Sequence, residues 1–168
     1  RLAVFFFFSG SNAEKIIDHF RNHPTVKIAL IASNNSKSGV FEIAKKNTIS
    51  TLFIDKKVFF SENSYINELK LAKIDFIILA GFLWKIPSVL IKEYPGEIIN
   101  IHPALLPKYG GKGMYGHHVH EAVIAAGETE SGCTVHLVTP VYDEGQVLLQ
   151  LKCSVTQEDT AATLAAKV

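Results

Sequence analysis

Short apolar runs alternate along this chain with stretches in which apolar side chains recur every three or four positions. Residues 2–8 are continuously apolar and rich in Phe, which predicts a strand buried on both faces, ended by Ser9-Gly10. Ser11-Asn12-Ala13-Glu14 then has the form of a capping box. Ala13, Ile16, Ile17 and Phe20 follow on one face of a helix closed by Pro24. Residues 26–33 predict a second buried strand and residues 34–39 a polar loop. Val40, Ile43 and Ala44 suggest a short helix, with a weaker strand over 51–54. Tyr65, Leu69 and Ala72 share a helical face, and residues 76–81 form another continuous apolar strand. Residues 86–94 predict a helix with Pro87 in its first turn, and 97–101 a strand.

This alternation predicts an α/β fold: a doubly wound, mostly parallel, Rossmann-like sheet with helices on both faces. Such sheets bind ligands beyond the carboxyl ends of their strands. Those ends are Ser9-Gly10-Ser11-Asn12, Ser33-Asn34, Ala80-Gly81-Phe82 and Asn100-Ile101-His102-Pro103. After His102 the pattern changes. Residues 103–116 are a loop rich in Gly and Pro, and 117–126 predict a short helix ended by Gly127. Residues 133–139 and 146–156 read as strands joined by the loop 140–145, hence an antiparallel hairpin, before a helix begins at Asp159.

The chain has 168 residues, 48% of them hydrophobic and 20% charged, which suits one globular domain. Its 17 basic and 16 acidic residues leave +1, without the broad basic surface of a typical nucleic-acid binder. A small anion pocket remains compatible with that balance. The longest apolar run, residues 2–8, falls far short of the about 20 residues a spanning helix needs. Two cysteines, Cys133 and Cys153, make no disulfide framework, so a reducing, cytoplasmic setting is expected. They are equidistant in sequence from Asp143, so a symmetric hairpin would make them neighbours; both read as strand thiols.

Three places could carry chemistry. Gly10-Ser11-Asn12 heads a helix, where exposed N–H groups and the dipole suit an anion; a plain helix cap reads equally well. Asn100 and His102 are two apart on a strand and so face the same side. An amide donor beside an imidazole suits a reaction that forms an oxyanion and moves protons, although a buried pair satisfying backbone groups has the same spacing. Asp143 is an acid at the hairpin tip. It would gain meaning if the loop folded over His102, where a carboxylate would raise the imidazole's pKa. His117, His118, His120 and Glu121 cluster without the H-E-x-x-H spacing and read as a solvated helix start, with a zinc site as the sharper alternative. Trp84 and Lys85 could offer an aromatic face and a cation to a flat anionic ligand, or be an ordinary loop.

Taken together, Ser9-Gly10-Ser11-Asn12, Leu79-Ala80-Gly81-Phe82, the run from Asn100 through Ile101-His102-Pro103-Ala104-Leu105-Leu106-Pro107-Lys108-Tyr109, Gly132-Cys133-Thr134-Val135-His136 and Asp143-Glu144-Gly145-Gln146-Val147 resemble the phosphoribosylglycinamide formyltransferases. These are folate-dependent formyl transferases, and the likeness runs over essentially the whole chain. It implies transfer of a formyl group from 10-formyltetrahydrofolate, the co-substrate, to the amino group of glycinamide ribonucleotide in purine synthesis, without a metal. By matching motif, Asn100 would hold the oxyanion, His102 would be the general acid/base and Asp143 would keep His102 charged and in place. Gly10, Ser11 and Asn12 would hold the ribonucleotide phosphate. Leu83, Trp84, Lys85 and Ile86, with Asn100, would contact the folate, and His136 would lie nearby.

The chain departs from the family pattern at Phe7-Phe8, where members carry another Ser-Gly, and at Trp84, where a basic residue is commoner. Members also run beyond the match to Val168, so residues 1–168 are expected to be a single catalytic domain shortened at its C-terminus. The ribose-binding acid would fall in the missing part. The expected partners are the two small molecules, with no nucleic acid and no membrane, in a monomer or homodimer. A methionyl-tRNA formyltransferase would predict a further domain and a basic surface. A formyltetrahydrofolate hydrolase would use water as nucleophile, and a dead binding module would show no turnover.

Overall fold

The computed structural model describes residues 1–7 and 11–168, with the backbone alone at Ser11. The chain divides into two compact units, Arg1–Ile98 and Ile99–Val168. The first alternates strand and helix: β1 (Leu2–Phe6), α1 (Ser11–Phe20), β2 (Ile28–Ser33), α2 (Val40–Lys46), β3 (Ser50–Phe53), α3 (Lys56–Phe59), α4 (Ile66–Leu71), β4 (Phe76–Ala80) and α5 (Ser88–Glu93). Its strands run in the order β3-β2-β1-β4, and β1–β2, β1–β4 and β2–β3 are all parallel. The chain moves outward from β1 to β3 and then returns past β1 to β4. Right-handed crossovers therefore put α1 and α2 on one face and α3 and α4 on the other, the doubly wound arrangement.

The continuous apolar runs become strands buried on both faces. Every residue of β2 is buried, as are Ala3, Val4, Phe5 and Phe6 of β1 and Ile77 to Ala80 of β4. Phe5, Phe59 and Phe82 pack edge to face, with centroids 5.5 Å apart for Phe5–Phe82 and 5.5 Å for Phe59–Phe82.

In the second unit, β5 (Ile98–His102) pairs antiparallel with β6 (Glu130–Leu137), and β6 pairs antiparallel with β7 (Val147–Ser154). Helices α6 (His117–Ala125) and α7 (Ala161–Lys167) complete it. Val123, Val155 and Leu164 form a buried cluster against which Tyr109, Ile124, Cys153 and Val168 pack. Thr160 caps α7 in a reciprocal box with Thr163.

Several boundaries differ from the sequence reading. The strand of residues 2–8 is described as far as Phe6, and Phe8, Ser9 and Gly10 lie outside the described residues. Pro87 is the N-cap of α5, with ψ 141°, one position before the first turn. The short α3 was missed; Asp55 starts it by accepting from the N–H of Lys57 (2.8 Å) and Val58 (3.2 Å). The hairpin register pairs Cys133 with Leu151 and Cys153 with Ser131, with a shift between Val135 and His136. The fold is thus centred on Tyr142, not Asp143, and the thiols sit diagonally rather than opposite. Both are free. Among the described residues no helix is long and apolar enough to cross a membrane.

Two glycines let the hairpin close. A Cβ on Gly132 would stand 1.9 Å from the Leu151 carbonyl oxygen, and one on Gly145 1.6 Å from that of Leu137. Gly132→Ala is expected to cost more than about 2 kcal/mol in urea unfolding, because backbone must move. Gly113→Ala, in open space with φ +93°, should cost about 1 kcal/mol, the left-handed penalty alone. Equal costs would show that the sheet makes room at Gly132.

Candidate active site

The antiparallel register sets Asn100 opposite His136 and His102 opposite Thr134, so alternate residues of two strands share one face. The β6–β7 loop carries Asp143 to the same place. The Asn100 amide nitrogen lies 3.1 Å from His136 Nε2. Asp143 reaches both rings: Oδ1 is 3.4 Å from His136 Nε2 and Oδ2 is 3.6 Å from His102 Nδ1. The side chains of His102, His136 and Asp143 are 4%, 3% and 10% exposed. The three residues expected to do chemistry are together, and His136 joins them.

The backbone is shaped around the carboxylate. Asp143 takes a left-handed conformation, φ 55°, which Asp tolerates better than most residues. Its Oδ2 accepts from the Gly111 N–H at 2.8 Å. A Cβ at Gly110 would meet Leu106 Cδ2 at 2.6 Å and Asp143 Cβ at 3.2 Å, so a larger residue there would press on the acid. The loop after β5 is pinned from the sheet. Thr134 Oγ1 donates to the Ala104 carbonyl (2.6 Å) and accepts from the Leu106 N–H (3.1 Å), while Gln150 Nε2 donates to the Leu106 carbonyl (2.9 Å).

Carbonyl partners fix where the protons sit. His102 Nε2 lies 2.8 Å from the Tyr109 carbonyl. A carbonyl only accepts, so Nε2 carries the hydrogen and the neutral ring turns bare Nδ1 towards Asp143. His136 Nδ1 lies 2.9 Å from the Leu137 carbonyl, so Nδ1 carries a hydrogen, while Nε2 faces both the Asn100 amide and Asp143 Oδ1. Burial pushes the His102 pKa down; Asp143 and the Tyr109 carbonyl push it up and His136 down, and the balance lies below the ordinary value. The expected upward push from Asp143 is therefore present, but burial outweighs it. For Asp143, burial pushes up, yet hydrogen bonds from His136 and the Gly111 N–H, with the charges of His102 and His136, leave it below the usual carboxylate range.

Sequence reasoning missed the Tyr109 carbonyl, Gly110, Gly111, Thr134 and Gln150. The adjacent Gly110-Gly111 pair was the one visible signal for close backbone approach.

The other expected residues belong to the first unit. Gly10 and the side chain of Ser11 lie outside the described residues, and with them the capping box; Asn12 is exposed in α1. Leu83 and Trp84 are half-buried, Lys85 is exposed, and Ile86 turns into the core at 5% exposure. Trp84 sits in a ring cluster, 5.8 Å from the half-exposed Phe60 and 5.9 Å from buried Phe59. The histidine cluster divides: His117 and His118 are solvated as read, whereas His120 is buried. Burial, then the charge of His102, lowers the His120 pKa.

A formyl transferase family model matches residues 1–168. The chain is 38% identical over 174 residues to a chloroplastic phosphoribosylglycinamide formyltransferase of Arabidopsis thaliana, covering all of this chain and 60% of that one. It is 39% identical over 175 residues to the Vigna unguiculata counterpart, covering all of this chain and 55% of that one. The chain thus spans little more than half the length of these relatives. A solved phosphoribosylglycinamide formyltransferase from Brucella melitensis superposes with a TM-score of 0.89 at 36% identity, covering 100% of this chain and 86% of that one.

The His102 shift sets a pH dependence. Its folded pKa is lowered, so between that value and about 6.5 the unfolded chain holds more protons, and stability rises with pH before levelling off above about 6.5. His120 acts with the same sign. Asp143, also lowered, adds stability above its unfolded pKa of about 3.9 that is lost as pH falls through the folded value. The urea midpoint should therefore drop between pH 7.5 and 5.5, and drop less in His102→Gln. An unchanged drop in that variant would show that His102 titrates as it does unfolded.

Proposed function

This chain belongs to the formyl transferase family, and from that membership we propose that it moves a formyl group from 10-formyltetrahydrofolate to the amino group of glycinamide ribonucleotide in purine biosynthesis. The observation that carries this reading is the meeting of half-buried Asn100 with the largely buried side chains of His102, His136 and Asp143. The names of the relatives supply the acceptor and the group transferred, and the motif resemblance supplies the folate donor.

In the proposed reaction the amine nitrogen bonds to the formyl carbon and the formyl oxygen becomes an oxyanion. The amine then gives up a proton, the bond from carbon to the folate N10 breaks, and N10 gains a proton. Asn100 donates to the oxyanion, its amide held by His136. His102 takes the amine proton and returns it to N10. Burial favours the neutral ring, the form able to accept that proton. Asp143, 3.6 Å from Nδ1, offsets the charge once the proton arrives. The nitrogen that would meet substrate is Nε2; once the amine replaces the Tyr109 carbonyl there, the ring's own hydrogen must sit on Nδ1, facing Asp143, for Nε2 to receive the proton. Each step draws on orientation, charge stabilisation and proton movement by side chains.

Gly10, Ser11 and Asn12 are the proposed phosphate holders, at the head of a ten-residue helix whose dipole favours an anion. Leu83, Trp84, Lys85 and Ile86, with Asn100, are the proposed folate contacts. The half-buried Trp84 ring gives a flat ligand an aromatic surface, and Ile86, being buried, would contribute through its backbone. The free thiols Cys133 and Cys153 suit a reducing compartment such as the cytoplasm.

The test follows folate product with and without glycinamide ribonucleotide. Turnover should require the ribonucleotide. Asn100→Ala, His102→Ala and Asp143→Asn should each lower kcat by a factor on the order of 10² or more, with folding intact. Ser11→Ala should raise KM for the ribonucleotide more than for the folate. Folate breakdown at the same rate without ribonucleotide would mean that water is the nucleophile and would overturn the proposal.

A further inference from the structure

The histidine-rich start of α6 takes no part in the steps above. Val119, His120 and Val123 of this helix are buried, whereas His117, His118 and Glu121 face solvent. Glu121 stands four positions after His117 and three after His118, so its direction from the axis falls between theirs. Side chains on a helix lean towards its N-terminus, which carries the carboxylate back to the two rings. His118 Nδ1 lies 3.5 Å from Glu121 Oε2. The His117 and His118 rings have centroids 4.0 Å apart at 44°, and the Tyr115 ring stands edge-on to His118 at 5.4 Å. One ligand atom from each of His117, His118 and Glu121 lies within 4.8 Å of the other two.

We propose that His117, His118 and Glu121 form a surface site for a divalent transition ion, with Zn²⁺ the best match and water in the fourth position. Ligands at about 2.0–2.1 Å around a tetrahedral ion stand roughly 3.3 Å from one another. The His118–Glu121 pair is already near that separation. His117 closes the rest by side-chain rotation, which its exposure permits. Two imidazoles with one carboxylate select zinc, nickel or copper over magnesium and calcium, which prefer all-oxygen shells. The helix dipole opposes a cation at this end, and the Glu121 charge offsets it. Because the ligands come from the first five residues of α6, the ion would staple its first turn. The plainer reading, an ion pair between protonated His118 and Glu121, involves neither His117 nor a metal.

Calorimetric titration of the metal-stripped full chain with Zn²⁺ at pH 7.5, in a non-chelating buffer, separates these readings. One equivalent should bind. The pair His117→Ala/His118→Ala should weaken binding by more than the about 10–100-fold that loss of a mere outer partner costs, and His117→Ala alone should weaken it clearly. His19→Ala, an exposed histidine of α1, should leave it unchanged. All of these variants should keep formyl transfer at the wild-type rate. Zinc binding that survives in the double variant, or that disappears instead in His102→Gln, would overturn the proposal.

Discussion

One carboxylate organises the second unit. Asp143 lies against His102 through one oxygen and His136 through the other, and takes the Gly111 N–H as well. Desolvating a carboxylate is costly, and the cost is tolerable here because the acceptor oxygens meet donors and rings that can carry positive charge. The surrounding choices follow from it. The hairpin must turn at a left-handed Asp143, Gly110 must lack a Cβ, and the loop after β5 must present a backbone N–H at Gly111.

That loop is held in place from the sheet. Thr134 and Gln150 face each other across β6 and β7 and between them bond to the backbone of Ala104 and Leu106. Strand register thereby sets loop position. The same register sets Asn100 against His136, so one set of ladder bonds fixes both the amide and the imidazole it touches. A register slip by one residue would turn all of these side chains to the other face.

Strands β1, β2 and β4 were readable because they are almost continuously apolar, and only burial on both faces rewards that pattern, whereas β3, with Ser50 and Thr51 and largely exposed, gave a weaker signal. Asn100, His102 and Asp143 were readable as types and spacings. Their meeting was not, because it depends on the hairpin tip folding back, which no local pattern encodes. Two details show why. The ladder from Glu130 to Val135 pairs about Tyr142 and not Asp143, a register set by turn geometry that sequence symmetry cannot reveal. The direction of the His102 shift was misjudged because the neighbouring charge was visible in the sequence and the burial was not. The Tyr109 carbonyl escaped notice for a related reason: backbone groups are the same at every position, so only geometry distinguishes one.

That carbonyl has a consequence for discrimination. In this conformation it acts as an internal ligand of His102, always present beside Nε2 and undiluted by solvent. A visiting molecule that displaces it must offer Nε2 a partner in return. Otherwise a buried polar atom is left unpaired, at a cost of about 1–3 kcal/mol. The imidazole therefore sorts its visitors by what they give back, favouring a group that can hydrogen-bond on arrival over one that merely fills the space.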